Sequence, residues 1–189
     1  MAKTNILFVS PDYVKQLTPL GRTIDDDLLR PCILTSQQMH ILPTLGTDLY
    51  DKLVSDISGD TLSGNYATLV TKYIQPCLTS YALAEVIPHL RVRLADNSAT
   101  TLSSDQGAAV TKEDLKPIIN SALNQGNFHK ERLIDFLCAK AGEMFPEYNS
   151  NVYPDLEPTR RNYTQGLNID PVYTSQDYKI LRQLLGLKQ

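Results

Sequence analysis

The sequence has no tryptophan, only three cysteines, three histidines and no long hydrophobic run, and each shortage closes off a class of function. Cys32, Cys77 and Cys138 lie far apart with apolar neighbours and no CxxC spacing, so neither a zinc knuckle nor a redox pair is encoded. An odd thiol count without a secretion signal fits buried structural cysteines in a reducing compartment. His40, His89 and His129 are scattered singly and belong to no metal-ligand motif. Phosphate loops of the GxxxxGK[ST] or GxGxxG type, the GxSxG elbow and the HExxH metal site are all missing. The apolar run Ile6–Val9 stops at Ser10-Pro11, too short for a signal peptide's hydrophobic region. No run approaches the roughly 20 apolar residues of a membrane span. Basic excess is also lacking: 18 Lys and Arg face 21 Asp and Glu, a net charge of −3. That leaves no footprint for gripping nucleic acid. The reading is a soluble, non-enzymatic protein with no cofactor, no metal and no membrane partner.

What is present is an ordinary globular composition, 42% hydrophobic and 21% charged over 189 residues. This is enough for one domain with a modest appendage. Tyrosine stands out, with ten against four phenylalanines. Its large contact area and polar tip suit half-wet interfaces, and equally the edges of a core.

Helix signals dominate the first 148 residues. Ser10-Pro11-Asp12 reads as N-cap, first-turn proline and favourable acid, opening a short helix over 11–17 that Thr18-Pro19-Leu20-Gly21 breaks. The triplet Asp25-Asp26-Asp27 opens the next, where Leu28, Leu29, Cys32, Ile33, Met39, Ile41 and Leu42 recur at helical spacing up to Pro43. Such a triplet could hold a metal, but capping is the simpler role. Pro43-Thr44-Leu45-Gly46 reads as a turn, with Thr47 capping a third helix through Leu49, Leu53 and Ile57 to Ser58-Gly59-Asp60. From Tyr66 the strongest stripe runs Leu69, Val70, Tyr73, Ile74, Cys77, Leu78, Tyr81, Leu83, Ala84, Val86 and Ile87. Pro76 inside it implies either a kink or two helices meeting at Ile74-Gln75-Pro76, and Pro88 a further bend or stop.

Period-two alternation over Arg91-Val92-Arg93-Leu94, a turn at Asp96-Asn97-Ser98 and a return through Thr100, Thr101 and Leu102 predict a small β-hairpin within the 91–110 segment. Thr111 with Asp114 then opens a last long helix. Its stripe is Leu115, Ile118, Ile119, Ala122 and Leu123, continued by Leu133, Phe136, Leu137 and Cys138. Gly126 weakens its middle and Phe145-Pro146 ends it.

Residues 149–189 read as a separate unit. Between Glu147 and Ser175 stand Pro154, Pro158 and Pro171, four asparagines and four tyrosines, a composition that discourages regular structure. Fully extended, such a stretch reaches on the order of 100 Å. Tyr178, Leu181, Leu184 and Leu185 mark a short amphipathic helix near the end. Tyr148, Tyr153, Arg160, Arg161, Tyr163, Tyr173, Tyr178 and Leu184 are therefore candidate partner-interface residues; the competing reading is an arm that wraps its own domain. The fold class is mainly α, a helical bundle over 1–148 with a small hairpin and a long C-terminal arm ending in a short helix. Among weaker chemical candidates, His129, Glu131 and Asp135 alternate with Lys130 and Arg132 as on a solvated face.

The order of segments resembles the small helical head-to-tail connector (adaptor) proteins of tailed bacteriophages, in the branch of Bacteroidetes phages and their crAss-like relatives. The residues that carry the resemblance are Phe8 to Tyr13, Asp26 to Pro31, Gln37-Gln38 and Ile41 to Tyr50. Further on they are Tyr73-Ile74-Gln75-Pro76, Tyr81-Ala82-Leu83, Glu131-Arg132-Leu133 and Phe145 to Tyr148. The resemblance covers roughly residues 6–148 and implies a structural virion protein, assembled in the host bacterial cytoplasm. As a connector it would form a homo-oligomeric ring, commonly dodecameric, in the neck. Its partners would be the portal protein, an adjacent neck or tail protein, and double-stranded DNA that passes without sequence recognition. It carries no catalytic residues over. A different helical neck component or an intracellular scaffold module is the alternative on the residues alone.

Overall fold

Ser10 caps the first helix as its sequence requires: its hydroxyl accepts the Tyr13 amide at 3.2 Å, leading into α1 (Pro11–Leu17). The structure is a computed structural model that describes residues 6–21, 24–95, 98–101, 112–150 and 155–160. The Asp25 carboxylate accepts the Asp27 amide and opens α2 (Asp26–Ser36), while Asp26 pairs with Lys15 at 2.6 Å. The acidic triplet thus caps one helix and ties it to another.

The helix does not stop at Pro43. It widens into a π turn (Gln37–Ile41), continues as α3 (Leu42–Leu45) and ends at Gly46, whose φ of +77° few other residues adopt. The same device carries α5 (Gly64–Leu69) through a second π turn (Val70–Ile74) into α6 (Gln75–Arg91). In both places an amide reaches five residues back, Leu42 to Gln37 and Gln75 to Val70, and the next residue is proline. A proline ring collides with the carbonyl four residues earlier and offers that carbonyl no N–H. A wide turn placed just before it moves that carbonyl aside, and the rod runs on. Pro76 therefore separates no two helices, and Pro88 lies within α6 without ending it.

Between the rods, α4 (Thr47–Ser58) ends at Gly59. Gly46 stands at its N-cap with no side-chain cap, so Thr47 does not cap this helix. β1 (Val92–Ala95) and β2 (Ser98–Thr101) pair antiparallel, Val92 opposite Thr101 and Ala95 opposite Ser98, the hairpin that alternation predicts. α7 (Lys112–Met144) and α8 (Pro146–Ser150) complete the body, separated at Phe145.

α6 is the central element and packs chiefly against α7 and α2. Every residue from Cys77 to Ala84 is buried, as expected of a helix enclosed on all sides. Leu29, Ile33, Leu49, Leu53, Leu69, Ile74, Leu133 and Leu137 fill the space around it without exposure. Two stripe members fall outside: Met39 is 61% and Ile118 49% exposed. Among the described residues no buried side-chain nitrogen or oxygen lacks a hydrogen-bond partner.

Two glutamines fix the N-terminal segment onto this core. Gln37, fully buried, accepts the Phe8 amide through Oε1 at 2.9 Å and donates through Nε2 to the Ile6 carbonyl and the Tyr50 hydroxyl. Gln75 donates to the Phe8 carbonyl at 3.2 Å. Both polar groups of the buried Phe8 backbone are thus satisfied by side chains, one from each rod.

The arm expected from residue 149 begins against the body. Residues 155–160 return as a strap across the α3–α4 junction. Leu156 and Thr47 exchange bonds, amide to Oγ1 at 2.9 Å and amide to carbonyl at 3.1 Å. Thr159 donates to the Pro43 carbonyl from both its amide and its hydroxyl, each at 2.9 Å. Pro158 lies so close to Gly46 that a β-carbon there would come within 2.8 Å of it. The strap binds because its backbone polar groups find partners on the body, information that proline content does not carry.

Candidate interaction surface

Of the residues expected at a partner surface, Tyr148 and Arg160 are described, and both are engaged by their own subunit. Tyr148, 1% exposed, is a core residue and no outward anchor. Its hydroxyl donates to the Thr159 carbonyl at 3.0 Å. The Arg160 guanidinium donates to the Tyr148 carbonyl at 3.0 Å and lies 5.2 Å from its ring. In this part of the arm the ring, the carbonyl and the guanidinium satisfy one another within one chain. Tyr153, Arg161, Tyr163, Tyr173, Tyr178 and Leu184 lie outside the described residues, as do the Thr111 cap and the expected helix at 176–187.

The other candidates resolve into structural roles. Burial pushes the Cys77 thiol up to about 12, and its sulfur donates to the Gly126 carbonyl. A thiol so placed is no nucleophile. Cys32 is likewise buried and raised, first by desolvation and then by Glu85. Burial, then Arg132, lowers His129, whose ring meets Phe128 edge-on. Arg132 lies over the Tyr73 ring at 5.1 Å, so the mixed-charge run is partly spent on packing. Among the described residues no group of His, Cys, Asp and Glu is arranged to hold a metal ion, and no helix is long and apolar enough to cross a membrane.

The notable surface lies on the outer side of α7. Pro117, Asn120, Ser121, Asn124, Gln125, Phe128 and His129 border an open depression of about 480 Å³. A second of about 160 Å³ adjoins it through Ser121 and Gln125 and brings in Leu17 from the end of α1, Leu83 from α6 and Ile118. Leu17, Ile118 and Phe128 are 60%, 49% and 64% exposed. No Asp, Glu, Lys or Arg borders either depression. Exposed apolar side chains surrounded by amides and hydroxyls, with charge excluded, are the composition of an interface centre.

Sequence reasoning assigned Ile118 to the buried stripe and passed over Phe128. The signal available was the helical spacing of Pro117, Ser121, Asn124 and Phe128, a face without charge in a chain otherwise one-fifth charged.

Fold and surface together define a helical-bundle protein with a two-stranded hairpin and an apolar outer face. Residues 41–156, well over half the chain, match DUF6712, a family of unknown function, and the chain belongs to that family. No curated protein and no solved structure matches it.

Proposed function

We propose that this protein is a structural connector subunit of a tailed bacteriophage, forming a ring between portal and tail and acting through protein contacts. The observation that carries the reading is the uncharged face of α7, where Ile118 and Phe128 stand 49% and 64% exposed beside Leu17. A rigid helix that displays such side chains gains free energy when another chain covers them. One surface pair, repeated until the rotation closes, makes a ring. The resemblance of residues 6–148 to phage connectors supplies the partners: other copies of the chain, the portal protein on one side, a neck or tail protein on the other, and double-stranded DNA passing through. The site would then be the virion neck.

The test is to mix purified protein with the cognate portal and examine the product by light scattering and electron microscopy. Closed rings, or assembly that depends on portal, support the reading. A monomer indifferent to portal removes it in favour of a different helical binding module.

A further inference from the structure

We infer that the uncharged groove on α7 is the receptor for the C-terminal segment Gln176–Leu187 of a neighbouring copy. The inference rests on the ring reading above and specifies how adjacent subunits are joined.

Three observations point to this occupant. The first is composition. The groove offers Ile118 and Phe128 on α7 with Leu17 beside them, and no charged residue borders it. In the segment, Tyr178, Leu181, Leu184 and Leu185 recur at helical spacing, with Lys179 off that stripe, Arg182 at its edge and Asp177 on it in the first turn. An apolar helical face laid in a groove that offers exposed apolar side chains is a recurring recognition mode, and its anchors stand at this spacing. The second is length. From Pro117 to Phe128 the groove runs along α7 for about 17 Å, and the 12 residues from Gln176 to Leu187 would span about 18 Å as a helix. The third is reach. Arg160 is fixed beside Tyr148, just beyond the end of α7. From there the groove lies about 30 Å back along that helix. Residues 161–175 can extend about 50 Å, so the chain beyond Arg160 can span that distance with length to spare. Each copy then gives one segment and receives one, the head-to-tail relation that closes a ring.

The experiment uses full-length chains in a Cys138→Ser background, since Cys32 and Cys77 are buried. One chain carries Asn124→Cys, at the exposed border of the groove, a differently tagged chain carries Gln183→Cys, beside the apolar stripe, and the two are mixed with portal and treated with a short bis-maleimide. The expected result is a product linking the two tags. Adding Ile118→Asp to the groove chain should lower its yield about tenfold, the effect of losing one central anchor. A control chain with Asp51→Cys, exposed on α4, should give no comparable product. A chain carrying both cysteines should form a ladder of linked chains; a link closed only within single chains would instead seat the segment on its own subunit and overturn the inference. Rings seen by microscopy without the product would overturn it and leave the connector reading standing. Chains that remain monomeric with portal would overturn both.

Discussion

Tyr81 packs against Gly126 so closely that a β-carbon on Gly126 would sit 2.9 Å from two atoms of the ring. Here α6 and α7, the most extensively packed pair, come together. The ring has little freedom to give way. His40 stacks on it with centroids 3.7 Å apart, and its hydroxyl donates to Asn127 Oδ1 at 2.6 Å. By propensity alone Gly126→Ala would stabilise α7 by about 1 kcal/mol. The clash reverses the sign: overpacking costs about 1–3 kcal/mol. We expect the variant's urea midpoint to fall and Gly126→Ala with Tyr81→Leu to recover part of the loss. A Gly126→Ala protein more stable than the parent would show that the two helices can separate freely.

Leu78 sits one turn from Tyr81 on the enclosed helix and has no exposure. Leu78→Ala leaves a cavity that neighbours on several sides cannot fill together, and should lower stability by about 2–5 kcal/mol. Denaturant unfolding monitored by far-UV circular dichroism measures it. The exposed Met39→Ala should change stability by no more than about 0.5 kcal/mol.

Periodicity made the helical body legible because most side chains of the Tyr66–Ile87 stripe meet other apolar groups, so burial and spacing agree. It misplaced Met39 and Ile118 for a physical reason. A π turn at Gln37–Ile41 shifts the helical register from that point on, and an apolar residue at the edge of a stripe can face either way. Pro43 and Pro76 look like terminators only when helices are assumed to keep a single pitch. The roles of Gln37, Gln75 and the 155–160 strap could not be read at all, because each depends on bonds between residues distant in the chain, up to 116 positions apart. The candidate surface lay outside that reading, because an uncharged helical face does not by itself tell exposure from burial.

His40 makes stability depend on pH. Burial, and then the nearby Lys130, lower it from its ordinary value of 6.5. Between 6.5 and the depressed value the unfolded chain binds more protons than the folded one, so stability rises with pH across that window. The contribution is fully present above pH 6.5 and is lost as pH falls through the folded value. Acidifying from pH 7.5 to 5 should lower the urea midpoint of the wild type more than that of His40→Phe, which keeps a ring on Tyr81 without a titrating group. Equal slopes would assign the acid sensitivity elsewhere. His129 is lowered too, by burial and Arg132, and should leave a residual slope in the variant.

Gly46 controls the strap. With φ +77° and ψ 165° it occupies backbone space that is essentially restricted to glycine. A β-carbon there would also meet Pro158 at 2.8 Å. Gly46→Ala should therefore cost about 1–3 kcal/mol and lift residues 155–160 from the α3–α4 junction. Trypsin reads this directly, since Arg160 is held against Tyr148 and would be released. Cleavage at Arg160 should accelerate well before global unfolding, and Thr47→Val, which loses the bond to the Leu156 amide, should accelerate it to a smaller degree. Unchanged cleavage in both variants would mean the strap is held by something other than these contacts.

Truncation separates the strap from residues 161–189. A chain ending after Arg160 keeps the Leu156–Thr47, Thr159–Pro43 and Arg160–Tyr148 contacts, and should match the full chain within about 0.5 kcal/mol. A chain ending after Ser150 loses all of them and strips the Tyr148 hydroxyl of the Thr159 carbonyl. At about 1 kcal/mol net per bond, that shorter form should lose about 2–4 kcal/mol. The division matters because the two pieces are assigned opposite duties: residues 155–160 hold their own subunit together, while residues 161–189 are assigned to neighbours. The 1–160 chain should therefore fold normally yet fail to form rings with portal. Normal ring formation by that chain would take the arm out of assembly and leave the α7 face to meet its partner through some other element.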